Sequence, residues 1–140
     1  MRVLLDTCVL SEITRPYGEE RVRDSLAAIR SEDLFISVVT IGVIAQGLAL
    51  MASGGKKDAL ASFLLSLEQD YRSRILSIDV EVARIWGEVT ARARERGKRI
   101  PPAHALIAAT AIRHGLHVMT RNVCDFAETG ALILNPWDEA

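Results

Sequence analysis

The sequence has few cysteines, almost no net charge and no long apolar run. Its 140 residues include only Cys8 and Cys124, too few for a disulfide scaffold, which favours a reducing cytoplasm. No apolar run reaches the roughly 18 residues that a membrane helix requires, so we expect no association with a membrane. The formal net charge is −1, and whole-chain electrostatics therefore do not indicate a nucleic-acid binder.

Hydrophobic residues make up 49% of the chain and charged residues 25%, which is typical of a soluble globular protein. The length predicts one domain over residues 1–140. The run Val3, Leu4 and Leu5 lacks polar alternation and predicts a strand buried on both faces. Asp6 follows it and marks the carboxyl end, where α/β sheets bind ligands. Alternatively, Asp6 is only a turn or cap residue. We expect Thr7 to cap the next helix.

The remaining chain alternates short apolar runs with helical spacing. We predict strands at 34–37, 74–78, 116–120 and 131–134, and helices at 19–30, 41–54, 56–71, 82–97 and 101–115. Trp86 and Trp137 are expected to serve core and terminal packing. This order predicts a three-layer α/β/α domain with a short, mostly parallel sheet covered on both faces. Right-handed crossovers would bring the carboxyl ends of all strands to one rim.

Polar residues from three distant segments should meet at that rim: Asp6, the loop 120–125 and His104 at a helix start. Carboxylates gathered in this way hold Mg²⁺ or Mn²⁺, and the cation activates water and neutralises a phosphate. The pattern therefore indicates phosphodiester hydrolysis. Each signal is weak alone, and their combination carries the interpretation.

An ordered set of motifs covers nearly the whole chain. It comprises LLDTCVLSE at 4–12, SVVTI at 37–41, PAHALIAA at 102–109, TRNVCDF at 120–126 and NPW at 135–137. This set resembles the PIN-domain toxins of the VapC/FitB type. The resemblance implies a metal-dependent endoribonuclease that uses Mg²⁺ or Mn²⁺ and acts on RNA. It also implies a small DNA-binding antitoxin of the VapB/FitA type as partner, a homodimer, and Asp6 as a metal ligand.

The chain departs from the family pattern at two acidic positions. Val43 stands where the family typically has an acid in the helix that begins near residue 37, and His104 stands where it has an aspartate. Asn122 occupies a position that is often aspartate in relatives. The resemblance thus leaves Asp6, Asn122 and Asp125 as catalytic candidates, with Asp6 and His104 as metal candidates. We expect the activity to be strongly impaired, because valine cannot coordinate a cation and imidazole is a poor Mg²⁺ ligand.

Several alternatives stay open at this point. The chain could be a catalytically inactive module that only binds an antitoxin, and the two departures could be natural or could have arisen in cloning. Val43 could be an ordinary buried valine and His104 a surface histidine at a helix start. Cys8, at a helix start, could have a lowered pKa and form a nucleophilic triad with His104 and Asp125.

Basic residues offer contacts for RNA phosphates. Arg121 adjoins the rim loop, and Arg99 ends a basic run over residues 92–99 that leads to the helix carrying His104. We predict that Arg121 and Arg99 bind RNA phosphates. For the basic run the alternative is a solvated helix end, since Glu95 is interleaved with the cations.

Overall fold

The chain alternates short strands with helices, as the sequence pattern predicts. The computed structural model describes residues 1–138. Its elements are β1 (Val3–Leu5), α1 (Thr7–Ile13), α2 (Glu20–Ala27), β2 (Leu34–Ser37), α3 (Val38–Leu50), α4 (Gly55–Asp70), β3 (Ile75–Leu76), α5 (Val80–Glu95), α6 (Pro102–His114), β4 (His117–Met119), α7 (Val123–Phe126) and β5 (Ile133–Leu134). Of the helices described, none has the length and apolar character needed to cross a membrane.

The first strand lies at the centre of a five-stranded sheet with the order β3-β2-β1-β4-β5. All four pairings are parallel, and Val3 aligns with Leu34 of β2 on one side and with His117 of β4 on the other. The predicted α/β class with a short parallel sheet is confirmed. Parallel strands bring their carboxyl ends to the same edge. We call this edge the rim and define it by Asp6, Ser37 and Thr120.

Alternation along β1 separates the core into two layers. Val3 and Leu5 belong to one apolar cluster with residues of α1, α3 and α4. Leu4 points to the opposite face and packs in a second cluster with Ile107 of α6. All three β1 side chains are fully buried, each contributing roughly 1.5–3 kcal/mol of transfer free energy. A strand sandwiched between helical layers is what an unbroken apolar run predicts.

Helices α5 and α6 form an antiparallel pair on the second face. An ion pair joins Glu81 at the start of α5 to Arg113 at the end of α6, so the end of α5 lies beside the start of α6. Helix α6 begins at Pro102, as predicted, and Gly115 ends it with a left-handed backbone, φ 67°. The expectation that Trp86 lies in the core is wrong, because this side chain on α5 is 37% exposed.

Several predicted boundaries shift, most of them at edges of the sheet. The cap of α1 is Asp6 rather than the expected Thr7, because the Asp6 side chain accepts a hydrogen bond from the Thr7 N–H. The third strand covers Ile75–Leu76 instead of 74–78. It ends at Leu76 because its partner strand β2 ends at Ser37, which pairs with Leu76. At its start, the Arg74 guanidinium binds the Leu34 carbonyl, 2.8 Å away. The last strand likewise covers only Ile133–Leu134, the two residues that face β4.

Candidate functional site

Asp6 lies at the rim, between the end of β1 and the start of α1. This residue is 3% exposed. One oxygen, Oδ1, accepts a hydrogen bond from the Thr7 N–H at 2.8 Å, and the other, Oδ2, accepts one from the Thr120 hydroxyl at 2.8 Å. Asp6 is therefore both a helix cap, in agreement with the alternative interpretation, and a carboxylate positioned at the rim. Oδ1 has a second lone pair for a further ligand.

Thr120, at the end of β4, is the direct partner of Asp6. Sequence analysis placed this residue in the rim loop but did not predict its contact with Asp6. Its hydroxyl donates to Asp6 and accepts the Asn122 N–H at 2.9 Å. This side chain is fully buried. One hydroxyl thus connects the end of β1 to the loop that precedes α7. The sequence signal for this contact was a polar residue directly after a predicted strand. The signal was incomplete, because only the folded sheet shows that β1 and β4 are neighbours.

Cys8 lies beside Asp6 in the first turn of α1. Its thiol donates to Asp6 Oδ2 at 3.7 Å, and its sulfur accepts the Arg121 N–H at 3.4 Å. Burial raises the pKa of the Cys8 thiol above its ordinary value, against the lowering effect of the Arg121 N–H. The expectation of a lowered pKa is wrong. The contacts of Cys8 are with Asp6, Thr120 and Arg121, and none joins it to a histidine among the residues described.

His104 and Asp125 form a second pair at the start of α6. The distance from His104 Nδ1 to Asp125 Oδ2 is 3.7 Å, which is beyond hydrogen-bond length. The imidazole packs on Phe126, with 5.0 Å between ring centroids. Its Nδ1 atom is buried and has no hydrogen-bond partner within residues 1–138. The side chain is partly buried, which corrects the alternative of a surface histidine.

Val43 lies on the outer side of α3, the helix that begins at the rim. Ser37 caps this helix by accepting the Val39 N–H at 3.0 Å. Val43 is 38% exposed, whereas the next residue, Ile44, is 7% exposed. The alternative of a buried core valine is wrong. The side chain at this position is accessible, and helix α3 contacts both α1 and α6, which begin at the rim.

The donor set does not fit a tight Mg²⁺ site. Mg²⁺ takes six ligands in near-octahedral geometry. Within residues 1–138, no group of three or more histidine, cysteine, aspartate or glutamate side chains is arranged to hold a metal ion. No side-chain hydrogen bond or ion pair in this part of the chain joins Asp6 to His104 or Asp125. The rim carries two separate pairs instead of one ligand cluster.

The two predicted phosphate contacts lie on different connections. Arg121, in the loop between β4 and α7, is exposed, and its guanidinium lies 5.4 Å from the ring centroid of Trp137. Arg99 is exposed in the connection between α5 and α6. It lines a surface groove with Trp86. Binding of RNA by Arg121 and Arg99 stays a prediction.

Comparison with known proteins places this geometry in a family. The family sequence model described as PIN domain matches residues 3–131 of this chain. Toxin FitB of Neisseria gonorrhoeae is 38% identical over 98% of this chain and 99% of its own length. The VapC ribonuclease Y4jK of Sinorhizobium fredii is 32% identical over 99% of each chain. The solved structure of FitAB bound to an IR36 DNA fragment superposes with a TM-score of 0.90 at 36% identity, over 99% of this chain and 97% of that one. The chain therefore belongs to the PIN-domain family, in the group that includes toxin FitB and the VapC ribonucleases.

Proposed function

We propose that residues 1–140 are one PIN domain that acts as the toxin of a toxin–antitoxin pair in the cytoplasm, as a homodimer. Its reaction is endonucleolytic cleavage of RNA, strongly impaired by Val43 and His104. The observation that best supports this proposal is the buried carboxylate of Asp6 at the rim, which accepts hydrogen bonds from Thr7 and Thr120. The relatives of the chain include a toxin and a ribonuclease.

The impairment follows from the chemistry of the rim. PIN ribonucleases use a divalent cation, which needs several oxygen ligands around the scissile phosphate. Asp6 supplies one carboxylate, with Asn122 and Asp125 as the other catalytic candidates. His104 adds an imidazole, which suits Mn²⁺ better than Mg²⁺. We therefore expect weak metal binding and slow cleavage.

The proposed partner is an antitoxin of the FitA/VapB type. The similar solved structure contains FitAB, and the two departures change none of the cations around the rim. The two departures replace acids at the rim and leave the surrounding helices folded. Complex formation should therefore survive, apart from any antitoxin arginine that would dock on the missing carboxylates. Each such charge-assisted hydrogen bond contributes roughly 1.5–3 kcal/mol.

Restoring both acids tests the ribonuclease proposal. Val43→Glu with His104→Asp returns carboxylates at the two positions where the family has acids. This double variant should restore cleavage of total RNA with Mn²⁺ or Mg²⁺, and growth arrest on expression. Loss of one preorganised catalytic group costs about 10²–10³ in rate. The double variant should therefore gain several orders of magnitude, and each single variant less, because coupled groups are not additive.

Two control variants test whether the recovered cleavage depends on the restored positions and on Asp6. Leu50→Glu adds the same charge to α3 about 10 Å further along the helix axis, at an exposed position, and should restore nothing. Asp6→Ala in the restored background should abolish the recovered cleavage. A folded double variant that neither cuts RNA nor arrests growth, with no effect of Asp6→Ala, would contradict the ribonuclease proposal.

A second function is favoured by the separation of the rim groups into two pairs. A PIN domain whose residues 1–138 form no ligand cluster could retain antitoxin binding alone. Co-expression with the cognate antitoxin of the FitA/VapB type provides the test. Co-purification of the pair, together with no RNA cleavage by the restored variant, would support this binding module. Failure of a folded chain to associate would contradict both proposals, since both include the antitoxin.

A further inference from the structure

A groove of about 1030 Å³ lies between the second half of α5 and the start of α6. Its walls carry one large aromatic side chain and three cations: Trp86, Arg94, Lys98 and Arg99. The predicted function uses only Arg99 of these residues. The groove is therefore a feature of the surface that the rim chemistry does not explain.

The helix wall of the groove follows a regular stripe. Trp86, Thr90 and Arg94 recur at intervals of four residues, which places them on one side of α5. The Thr90 hydroxyl donates to the Trp86 carbonyl at 2.8 Å, so its polar group is satisfied by the backbone. With a rise of 1.5 Å per residue, Trp86 and Arg94 are separated by about 12 Å along the axis. An aromatic platform thus lies at one end of the stripe and a cation at the other.

The cationic end of the groove lies beside the start of α6. Arg96, at the end of α5, forms a 3.1 Å ion pair with Glu128, which follows α7. The opposite wall includes Pro102, two residues before His104. His104 in turn lies 3.7 Å from Asp125. A strand of RNA that reaches the rim can therefore continue into the groove.

The charge of the groove is available for a ligand. Arg94, Lys98 and Arg99 make no ion pair with any residue of the described chain, 1–138. Glu95 is the single acid on the lining, so the groove is net positive on a chain whose formal charge is −1. Trp86 is 37% exposed and offers part of its indole surface. Unpaired cations combined with an exposed aromatic ring are the features that bind single-stranded nucleic acid.

We propose that this groove binds the single-stranded RNA next to the scissile phosphate. One base stacks on Trp86, and Arg94, Lys98 and Arg99 contact the phosphates. This inference rests on the proposed ribonuclease function and names the surface that extends its substrate site. A second copy of the chain is a poorer occupant, because a two-fold contact would bring the same three cations to face one another.

Direct binding tests the proposal without cleavage. Affinity is measured in EDTA for an unstructured single-stranded RNA and for an abasic ribose-phosphate oligomer of the same length. Trp86→Ala should raise the Kd for the base-bearing RNA by about 5- to 140-fold, the range for one base stacked on an aromatic ring. Trp86→Phe should retain most of the affinity. Neither change should affect the abasic oligomer.

The salt dependence of RNA binding tests the phosphate contacts, and a second arginine on α5 provides a matched control. Arg94→Gln should reduce the slope of log K against log salt concentration by about 0.7, the value for one phosphate contact on a single strand. Arg92→Gln removes the same charge from α5 at an exposed position outside the groove and should leave the slope unchanged.

Four outcomes would overturn the groove proposal. If Trp86→Ala weakened binding of both oligomers equally, the role of Trp86 would be packing and not stacking on a base. If the two arginine variants had equal salt slopes, Arg94 would not contact a phosphate. A change in oligomeric mass for Trp86→Ala, measured by light scattering, would identify a contact between copies. A parent chain that binds no RNA also overturns it. Mn²⁺-dependent cleavage by the Val43→Glu/His104→Asp variant then decides separately whether the ribonuclease proposal holds.

Discussion

Replacing Thr120 by valine should destabilise the protein far more than the same change elsewhere in the core. The Thr120 hydroxyl is the donor to Asp6 Oδ2 at 2.8 Å and the acceptor of the Asn122 N–H at 2.9 Å. Valine has nearly the same shape but no hydroxyl. The variant would leave the carboxylate of Asp6, a residue that is 3% exposed, with one hydrogen bond fewer. Only the weak Cys8 thiol contact would remain on that oxygen.

The magnitude follows from the two hydrogen bonds. A bond to a charged acceptor contributes roughly 1.5–3 kcal/mol, and a neutral one about 0.5–1.5 kcal/mol. Asn122 is exposed, so water can replace part of the second bond. We expect Thr120→Val to lower the free energy of unfolding by about 2–4 kcal/mol, measured by urea denaturation monitored by circular dichroism.

Thr110 provides a matched control on α6. Thr110 is equally buried, but its hydroxyl donates to the Leu106 carbonyl of its own helix at 2.8 Å. Thr110→Val should cost at most about 1 kcal/mol, because that carbonyl keeps its helical partner. Asp6→Ala removes the charged acceptor, so Thr120→Val should cost less in that background. Equal costs for the two threonines, or no coupling to Asp6, would refute the assigned network.

Three further predictions concern metal, thiols and a structural arginine. Calorimetric titration should show no tight Mg²⁺ binding and only weak Mn²⁺ or Ni²⁺ binding, and micromolar Mg²⁺ affinity would contradict the donor geometry. Iodoacetamide should modify exposed Cys124 before Cys8, whose pKa is raised by burial. Faster labelling of Cys8 than of Cys124 would refute this order. Since the Cys8 thiol has a higher pKa in the folded chain than in the unfolded chain, its contribution to stability should be present below about pH 8.5 and lost as pH rises. Arg74→Met should cost about 1.5–3 kcal/mol in urea denaturation, because Arg74 binds backbone carbonyls of β2 and α4, whereas Arg72→Met at an exposed neighbour should cost little.

The central part of the fold could be predicted because local pattern and tertiary environment agree there. An unbroken apolar run such as Val3–Leu5 fits a strand covered on both faces, and these residues form such a strand. The prolines at the start of α6 and Gly115 at its end are equally local signals. The edges of the sheet were less predictable, since β3 and β5 extend only as far as a neighbouring strand provides partners.

The rim contacts required the folded chain. The sequence placed Asp6 at the end of a strand, but its bond to Thr120 spans 114 positions. Helix-start position suggested a lowered pKa for Cys8, whereas burial beside Asp6 outweighs that effect. Trp86 is a second residue whose environment the sequence pattern predicted wrongly. Its spacing with Val82 and Val89 fits a core face, yet those two valines are buried while Trp86 lies at the border of the groove.

The network around Asp6 suggests why a PIN domain can keep its rim without a full set of acids. Clustered carboxylates repel one another, so a complete site is strained until a cation fills it. Here one buried carboxylate is satisfied by the Thr7 N–H, the Thr120 hydroxyl and the Cys8 thiol, all internal donors. Val43 and His104 add no negative charge beside it. The parent chain should therefore gain little stability from divalent cations, in keeping with weak metal binding. The Val43→Glu/His104→Asp variant should lose apo stability and regain it on binding metal, which links the stability of the rim to the carboxylates that restore its chemistry.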